Sequence, residues 1–303
     1  MGKVKKETQE LNELPVAPGG FKPQENIHLL KKGCHIKVVK GKILEVQTEN
    51  KKVIKEFGKA DLKKTNNFEN KLLIRSEKIT LQEDLLGLPI SNRWIVYSGW
   101  MNKSGAPITY FKTRWKVPQH PSTNNGQVIF LFNGIQNKSS AYILQPVLQW
   151  GKSNAGGGNF WSITNWFVTQ GDKGNAIFKE LVAVNPGDII EGIMVLTKNK
   201  GSKFSYKSSF TDYPQCDLEI EGIDELCWAN ETLECYDLYK FSDYPNTNVT
   251  EMTDIEIRTG NKQPTIKWDI HNDVTDNGQH CTIKSNSSTN GAVSLYYNNE
   301  QLA

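Results

Sequence analysis

No run in this 303-residue chain approaches the ~20 consecutive apolar residues that a membrane-spanning helix needs, so no membrane partner is expected. Met1 to Thr8 are basic and polar, and no apolar stretch follows them, so the pattern of a secretory leader is missing. The resulting expectation is a cytoplasmic protein, or a secreted one if the numbering starts after a removed leader. The five cysteines (Cys34, Cys216, Cys227, Cys235, Cys281) are odd in number and lack C-x-x-C spacing, which argues against a disulfide framework and leaves open only a local Cys227–Cys235 bridge. The five histidines (His28, His35, His120, His271, His280) are scattered without metal-ligand spacing, so no metal and no cofactor are expected. G-x-S-x-G, H-E-x-x-H and P-loop signatures are absent. A net charge of +3 is nearly balanced and gives no reason to expect a nucleic-acid partner.

What is present is unevenly placed. Residues 1–90 hold 18 Lys and Arg against 12 acids, whereas the totals of 36 and 33 leave 18 against 21 for the remainder. Phe21, Phe57 and Phe68 are the only aromatics before Trp94; all eight Trp and ten Tyr follow from there. Two regions are therefore expected: residues 1–91, a basic N-terminal arm or segment (propeptide-like or a small β element), and residues 92–303, a β-sandwich domain. Residues 1–30 are polar and proline-punctuated and read as a flexible arm. Residues 34–57 read as a hairpin around Lys40-Gly41-Lys42, residues 51–64 as a charged stretch or short helix, and residues 70–89 as ambiguous. From Trp94 onward, short strands alternate with turn clusters and helical period is almost absent, which predicts an all-β antiparallel sandwich.

The stretch 128–150 reads as two buried strands joined by a polar loop starting at Asn133-Gly134. By the two-residue strand period, Ile143, Gln145, Val147 and Gln149 share one face, opposite Leu144, Leu148 and Trp150. Burying an amide without partners costs about 1–3 kcal/mol, so Gln145 and Gln149 either satisfy local networks or face a ligand. In 225–236, Asn230, Thr232, Glu234 and Tyr236 share a face opposite Glu231, Leu233 and Cys235. If these two segments lie in one sheet, Gln145 and Glu234 meet on a concave face. Trp161 and Asn165 share a parity and line it, while Tyr142 and Trp166 reach it only at a rim or through a bulge. Asn133, Tyr142, Gln149, Trp161, Asn165 and Trp166 are the candidate substrate contacts, and Gln145 and Glu234 the candidate catalytic pair. A carboxylate can deprotonate a water while an amide N–H donates to the resulting oxyanion.

Residues 93 to about 284 resemble the glutamic peptidases, the eqolisin family. The resemblance rests on ordered pieces: Thr113-Arg-Trp-Lys-Val-Pro118, Phe132-Asn-Gly134, Ile143-Leu-Gln145, Trp161 with Asn165-Trp166-Phe167, Pro186-Gly-Asp-Ile-Ile190, and Leu226-Cys227 followed by Ala229 to Tyr236. It implies a concanavalin A-like sandwich, or jelly roll, and peptide-bond hydrolysis at acid pH. Glu234 would act as base and then acid, with Gln145 positioning the water and stabilising the tetrahedral intermediate. Asn133 and Asn165 stand where the family has acids. Members carry N-terminal propeptides, so the resemblance also implies that a basic arm laid across the groove would inhibit. Near neutral pH an ordinary Glu is ionised and unable to protonate a leaving amine unless burial raises its pKa. Two other readings fit the same residues. One is a carbohydrate-binding, lectin-like sandwich that stacks sugars on Trp and bonds them through amides; the other is an interaction protein docking through its basic arm.

Overall fold

Alternating and continuous apolar runs become strands throughout the computed structural model, which describes residues 16–59, 91–169 and 174–298. In chain order the strands are β1 (Val16–Ala17), β2 (Gly20–Phe21), β3 (Ile27–Leu29), β4 (Cys34–Val39), β5 (Lys42–Gln47), β6 (Val53–Lys59), β7 (Ser91–Met101), β8 (Ile108–Lys116), β9 (Val128–Asn137), β10 (Tyr142–Ser153) and β11 (Gly156–Thr169). They continue as β12 (Ala176–Phe178), β13 (Val182–Val184), β14 (Ile189–Lys200), β15 (Lys203–Phe210), β16 (Leu218–Ile223), β17 (Leu226–Leu238), β18 (Val249–Thr259), β19 (Asp269–Asn272), β20 (His280–Ser285) and β21 (Gly291–Tyr296). One sheet has the order β19-β7-β17-β9-β10-β11-β12-β3, with β13 also on β11; the other runs β20-β21-β18-β8-β14-β15-β16-β4-β5-β6. This is the concanavalin A-like β-sandwich expected of the chain. The inner faces enclose one large core that includes Trp115, Trp161, Tyr142, Phe167 and Leu233.

The first sheet is buried on both faces at its central strands. Every residue of β9 is buried, and so is β10 from Tyr142 to Gly151. A second apolar cluster, with Trp94, Tyr97, Phe130, Phe132, Val147, Trp166, Trp228 and Tyr236, lies on the outer face. Both strands therefore read as continuous apolar runs rather than alternating ones. The loop between them is shorter than expected: Asn133 and Gly134 lie inside β9. Asn133 donates from Nδ2 to the Gly192 carbonyl (3.2 Å) across the sandwich, which keeps that stretch extended.

Of the described part of residues 16–59, β3 joins the first sheet and β4, β5 and β6 the second, while β1 and β2 pair with each other as a separate two-stranded sheet. The 34–57 hairpin forms as β4 and β5, with Lys40 (φ 50°) and Gly41 (φ 76°) supplying the two positive φ angles of its tight turn. Where a charged loop or helix was expected, β6 forms and extends the second sheet, with Lys42 paired to Glu56 (2.9 Å). The antiparallel expectation fails at two junctions: β3 runs parallel to β12, and β4 parallel to β16. Strands from the N-terminal segment enter the sheets far in sequence from their neighbours there, so hairpin geometry does not fix their direction. Residues 16–30 are not a free arm but hold β1, β2 and β3. The expectations for 60–64 and 70–89 fall outside the described residues.

The β10–β11 hairpin turns at Asn154-Ala155 and carries a bulge at Trp150/Gly151. Gly151 has φ +86°, and a Cβ there would lie 2.1 Å from the Gln127 carbonyl oxygen, so only glycine permits this bend.

Candidate functional site

The outer face of the first sheet is a deep cup, and one residue shows how deep. Val168 on β11 is level with Ile143, Gln136 and Trp228 on successive strands, six residues along β17 from Glu234. On a flat sheet, three strands and six residues separate two positions by about 24 Å. Yet Gly19 reaches both: its N–H donates to Glu234 Oε1 (2.7 Å), and a Cβ on it would sit 3.2 Å from Val168 Cγ1. The sheet must therefore curl along this diagonal. Phe132 and Gln145 lie on the same diagonal, between Glu234 and Val168, and so form its floor.

Glu234 is placed by one feature of β17 and one of β7, which carries the extra residue Ile95. Period-two alternation directs Asn230, Thr232, Glu234 and Tyr236 outward, and a bulge against β7 pairs Glu234 with Trp94 while Thr232 pairs with Tyr97. Both rings thereby reach the cup although they are three residues apart. Trp94 Nε1 donates to Glu234 Oε2 (3.0 Å), and the Tyr236 hydroxyl makes a short hydrogen bond to Oε1. Burial pushes the Glu234 carboxyl up to about 7, against the opposing pull of the Tyr236, Gly19 and Trp94 donors and the Lys22 charge. Burial thus meets the condition for a glutamate that changes protonation state near neutrality.

A strap formed by residues 16–22 lies over this carboxyl. Ala17 is fully buried in the outer cluster, Phe21 packs edge-on against Tyr236 (5.4 Å), and Val16 accepts from the Asn154 N–H at the hairpin tip (3.0 Å). Lys22, 2% exposed, donates from Nζ to the Thr169 carbonyl (3.1 Å).

Among the residues singled out from the sequence, Gln145, Gln149 and Trp166 share the cup with Glu234. Gln145 does not hydrogen-bond to Glu234: it is level with Gly134 and Asn230, four residues along β17, and its amide has no partner. Gln149 is the amide level with Glu234, across Phe130, but it is tied into the hairpin. Its Nε2 donates to the Gly151 and Gly156 carbonyls and its Oε1 accepts from Ser153. Trp166 pairs with Gln145, so the two share a face and the parity expected for Trp161, Asn165 and Trp166 is reversed. A two-residue hairpin turn makes the paired residue numbers sum to an odd value, which sets odd positions of β10 against even positions of β11. The Trp161 side chain consequently packs in the inner core. Asn165 donates to the Cys216 carbonyl (2.8 Å) and accepts a short hydrogen bond from Ser208. Tyr142 is also inside, its hydroxyl accepting the Asp224 N–H (2.6 Å). Asn133 faces Gly192, and none of these four inner residues lines the cup.

Sequence reasoning missed Trp94, Gly19, Lys22 and Gln136. The bulge that aims Trp94 leaves no signature in residue spacing, and the strap contact joins residues 215 positions apart. Cys227 and Cys235 lie eight residues apart on one strand, about 26 Å, far beyond disulfide reach, and both are free thiols. No cluster of metal-ligating side chains occurs among the described residues.

Glu231 points inward, as the alternation requires, and accepts from Thr113 Oγ1 (2.5 Å) with Oε2 unpartnered. Burial holds its carboxyl well above the ordinary 4.5. The unfolded chain loses this proton above pH 4.5 while the folded chain keeps it, so the site lowers stability as pH rises beyond that point. Glu231→Gln is therefore expected to melt with the wild type near pH 4 and several degrees higher at pH 7 to 8, by calorimetry at both pH values.

Against known proteins, no family model and no curated sequence matches the chain. Among solved structures, scytalido-glutamic peptidase bound to a peptide-based transition-state analogue is similar at 14% identity and TM-score 0.45, covering 67% of this chain and 98% of that one. SCP-B, a member of the eqolisin peptidases bound to the tripeptide Ala-Ile-His, is similar at 13% identity and TM-score 0.40, covering 67% and 98%. CG-16, a homodimeric agglutinin from chicken liver, follows at 11% and 0.28, covering 54% and 99%. Similarity at this level assigns the chain neither a family nor an activity.

Proposed function

We propose that the chain is a peptidase-like hydrolase whose cup takes an extended peptide, with Glu234 as the acid–base group and Gln145 as the amide beneath the scissile carbonyl. The observation that carries this reading is the strap: a peptide backbone already lies in the cup, and its Gly19 N–H sits on the Glu234 carboxyl at 2.7 Å. In the reaction, Glu234 takes a proton from water as the water oxygen bonds to the carbonyl carbon. Gln145 Nε2–H donates to the oxyanion that forms. The C–N bond then breaks as Glu234 returns the proton to the leaving nitrogen. Gln145 has no competing partner for that task, whereas Gln149 does. In this reading residues 16–22 close the site, whereas residues 27–59 contribute strands β3 to β6 to the sandwich itself.

With Glu234 raised to about 7, the working range moves from the acid pH of the family resemblance toward neutrality. The first step needs the ionised carboxylate, so kcat/KM for a denatured protein substrate is expected to rise with pH through about 7. A pH–rate profile between 3 and 9 tests this; a maximum below pH 4 with no activity at 7 contradicts it. A glycan-binding reading draws on one different observation, the unpartnered amides of Gln136 and Gln145 and the unpartnered Nδ2 of Asn230 among aromatic rings. It predicts glycan binding indifferent to Glu234→Gln.

A further inference from the structure

Beside the diagonal floor lies a group of polar side chains for which the acid–base chemistry gives only one member a use. Gln145, Gly134 and Asn230 are level on three adjacent strands of the cup, Trp166 pairs with Gln145 on its far side, and Gln136 is one step further along β9. All four polar side chains are at most 1% exposed. Six of their atoms have no hydrogen-bond partner: both amide atoms of Gln136, both of Gln145, Asn230 Nδ2 and Trp166 Nε1. Asn230 Oδ1 alone is used, accepting from Thr232 (3.0 Å). Gly134 makes the arrangement possible, because a Cβ there would lie 2.9 Å from Ile143 Cδ1 and 3.0 Å from Asn230 Oδ1. Buried amides are normally satisfied, and unpaired ones cost free energy that an arriving ligand recovers.

The chemistry of that ligand follows from the inventory. The unpaired set offers two amide oxygens as acceptors and several N–H groups as donors. The side chains level with it at Ile143, Val168, Phe178 and Trp228 are uncharged, Asp269 lies exposed beyond Gly99 at the sheet edge, and the buried Lys22 ammonium is held on the Thr169 carbonyl, so the set itself supplies no counter-ion for a charged group. An aliphatic side chain would leave all six atoms unpaired. A carboxamide, with two donor hydrogens and one acceptor oxygen, matches the set.

We propose that Gln136, Asn230 and Trp166, together with Gln145 Oε1, form a specificity pocket for an Asn or Gln side chain of the peptide in the cup, which leaves Gln145 Nε2 for the scissile carbonyl. The pocket rests on the peptide-cup reading but not on catalysis, so binding can be measured with chemistry switched off. The full chain carrying Glu234→Gln is titrated with three blocked peptides that differ at one position, Gln, Leu or Glu. The strap lowers all three affinities by the same factor and leaves their ratio intact. The Gln peptide is expected to bind about tenfold or more tighter than either of the others, since sites built to hydrogen-bond a group reject analogues lacking it. Gln136→Leu, which replaces an unpaired amide by an apolar group of similar size and so keeps the fold, is expected to shift the preference from Gln toward Leu. Asn230→Leu serves as an independent second variant. Equal affinities for the three peptides, or a Gln preference that survives both substitutions, overturns the pocket. Binding of a neutral oligosaccharide instead of all three peptides overturns it in favour of a glycan site. A Gln preference in binding without any cleavage by the chain lacking residues 1–22 sinks the hydrolase reading and leaves the pocket standing.

Discussion

Glu234→Gln is expected to lower kcat/KM for peptide cleavage by about 10³-fold or more while the protein stays folded. Acid–base groups of this kind contribute about 10²–10⁴-fold, and here one carboxyl serves in both half-reactions. Gln is the informative replacement because of what surrounds the side chain. Its oxygen can still accept from the Gly19 N–H and the Tyr236 hydroxyl, so the strap and the β17 rim keep their anchors. Only the Trp94 indole N–H loses its acceptor, and no carboxyl needs to be desolvated any longer. Glu234→Ala would instead remove the shared acceptor of the Gly19, Trp94 and Tyr236 donors, and a lost activity would not separate chemistry from folding. The measurement is steady-state cleavage of a denatured protein beside a thermal melt. A binding module predicts no cleavage by either form.

Removing the strap is expected to raise activity by about a hundredfold. The occluded state gains from burial of Ala17 and from Phe21 packed on Tyr236, a sum on the order of 3 kcal/mol, so the open state is populated at about 1%. Deletion of residues 1–22 takes that factor away. Gly19→Ala is the gentler version. Gly19 holds φ +82°, where an L-residue is strained by about 1–2 kcal/mol, and the new methyl would press on Val168 Cγ1 at 3.2 Å. The variant is expected to melt slightly earlier and cleave several-fold faster, an inverse pairing that a purely structural strap would not produce. If both forms lose stability and gain no activity, the strap is part of the fold and nothing more.

Much of the site was legible from alternation within single strands. Gln145 and Glu234 face one way on β10 and β17, while Glu231 and Leu233 face the core, because each strand is long, regular and free of breaks between those residues. Relations between strands were not legible. Trp161 and Trp166 take the opposite faces from those expected because the two-residue Asn154-Ala155 turn sets the register, which alternation within either strand does not reveal. Asn133 and Asn165 show a different limit. Both lie between the sheets, where they donate to the Gly192 and Cys216 carbonyls through an N–H that a carboxylate lacks. Their amides are therefore a packing requirement of this chain, not missing charges beside Glu234. The N-terminal strands and the strap depend on contacts between distant segments, which composition and periodicity do not encode.

The most direct test of the account is mass-spectrometric detection of new peptide termini in a denatured protein, incubated at pH 3 to 9 with the strap-deleted chain in water enriched with oxygen-18. The account predicts cleavage with one heavy oxygen in each new carboxyl terminus, and none of this in the same chain carrying Glu234→Gln. An absence of new termini at every pH with the strap removed and the fold intact, or termini that persist undiminished without the Glu234 carboxyl, would contradict it.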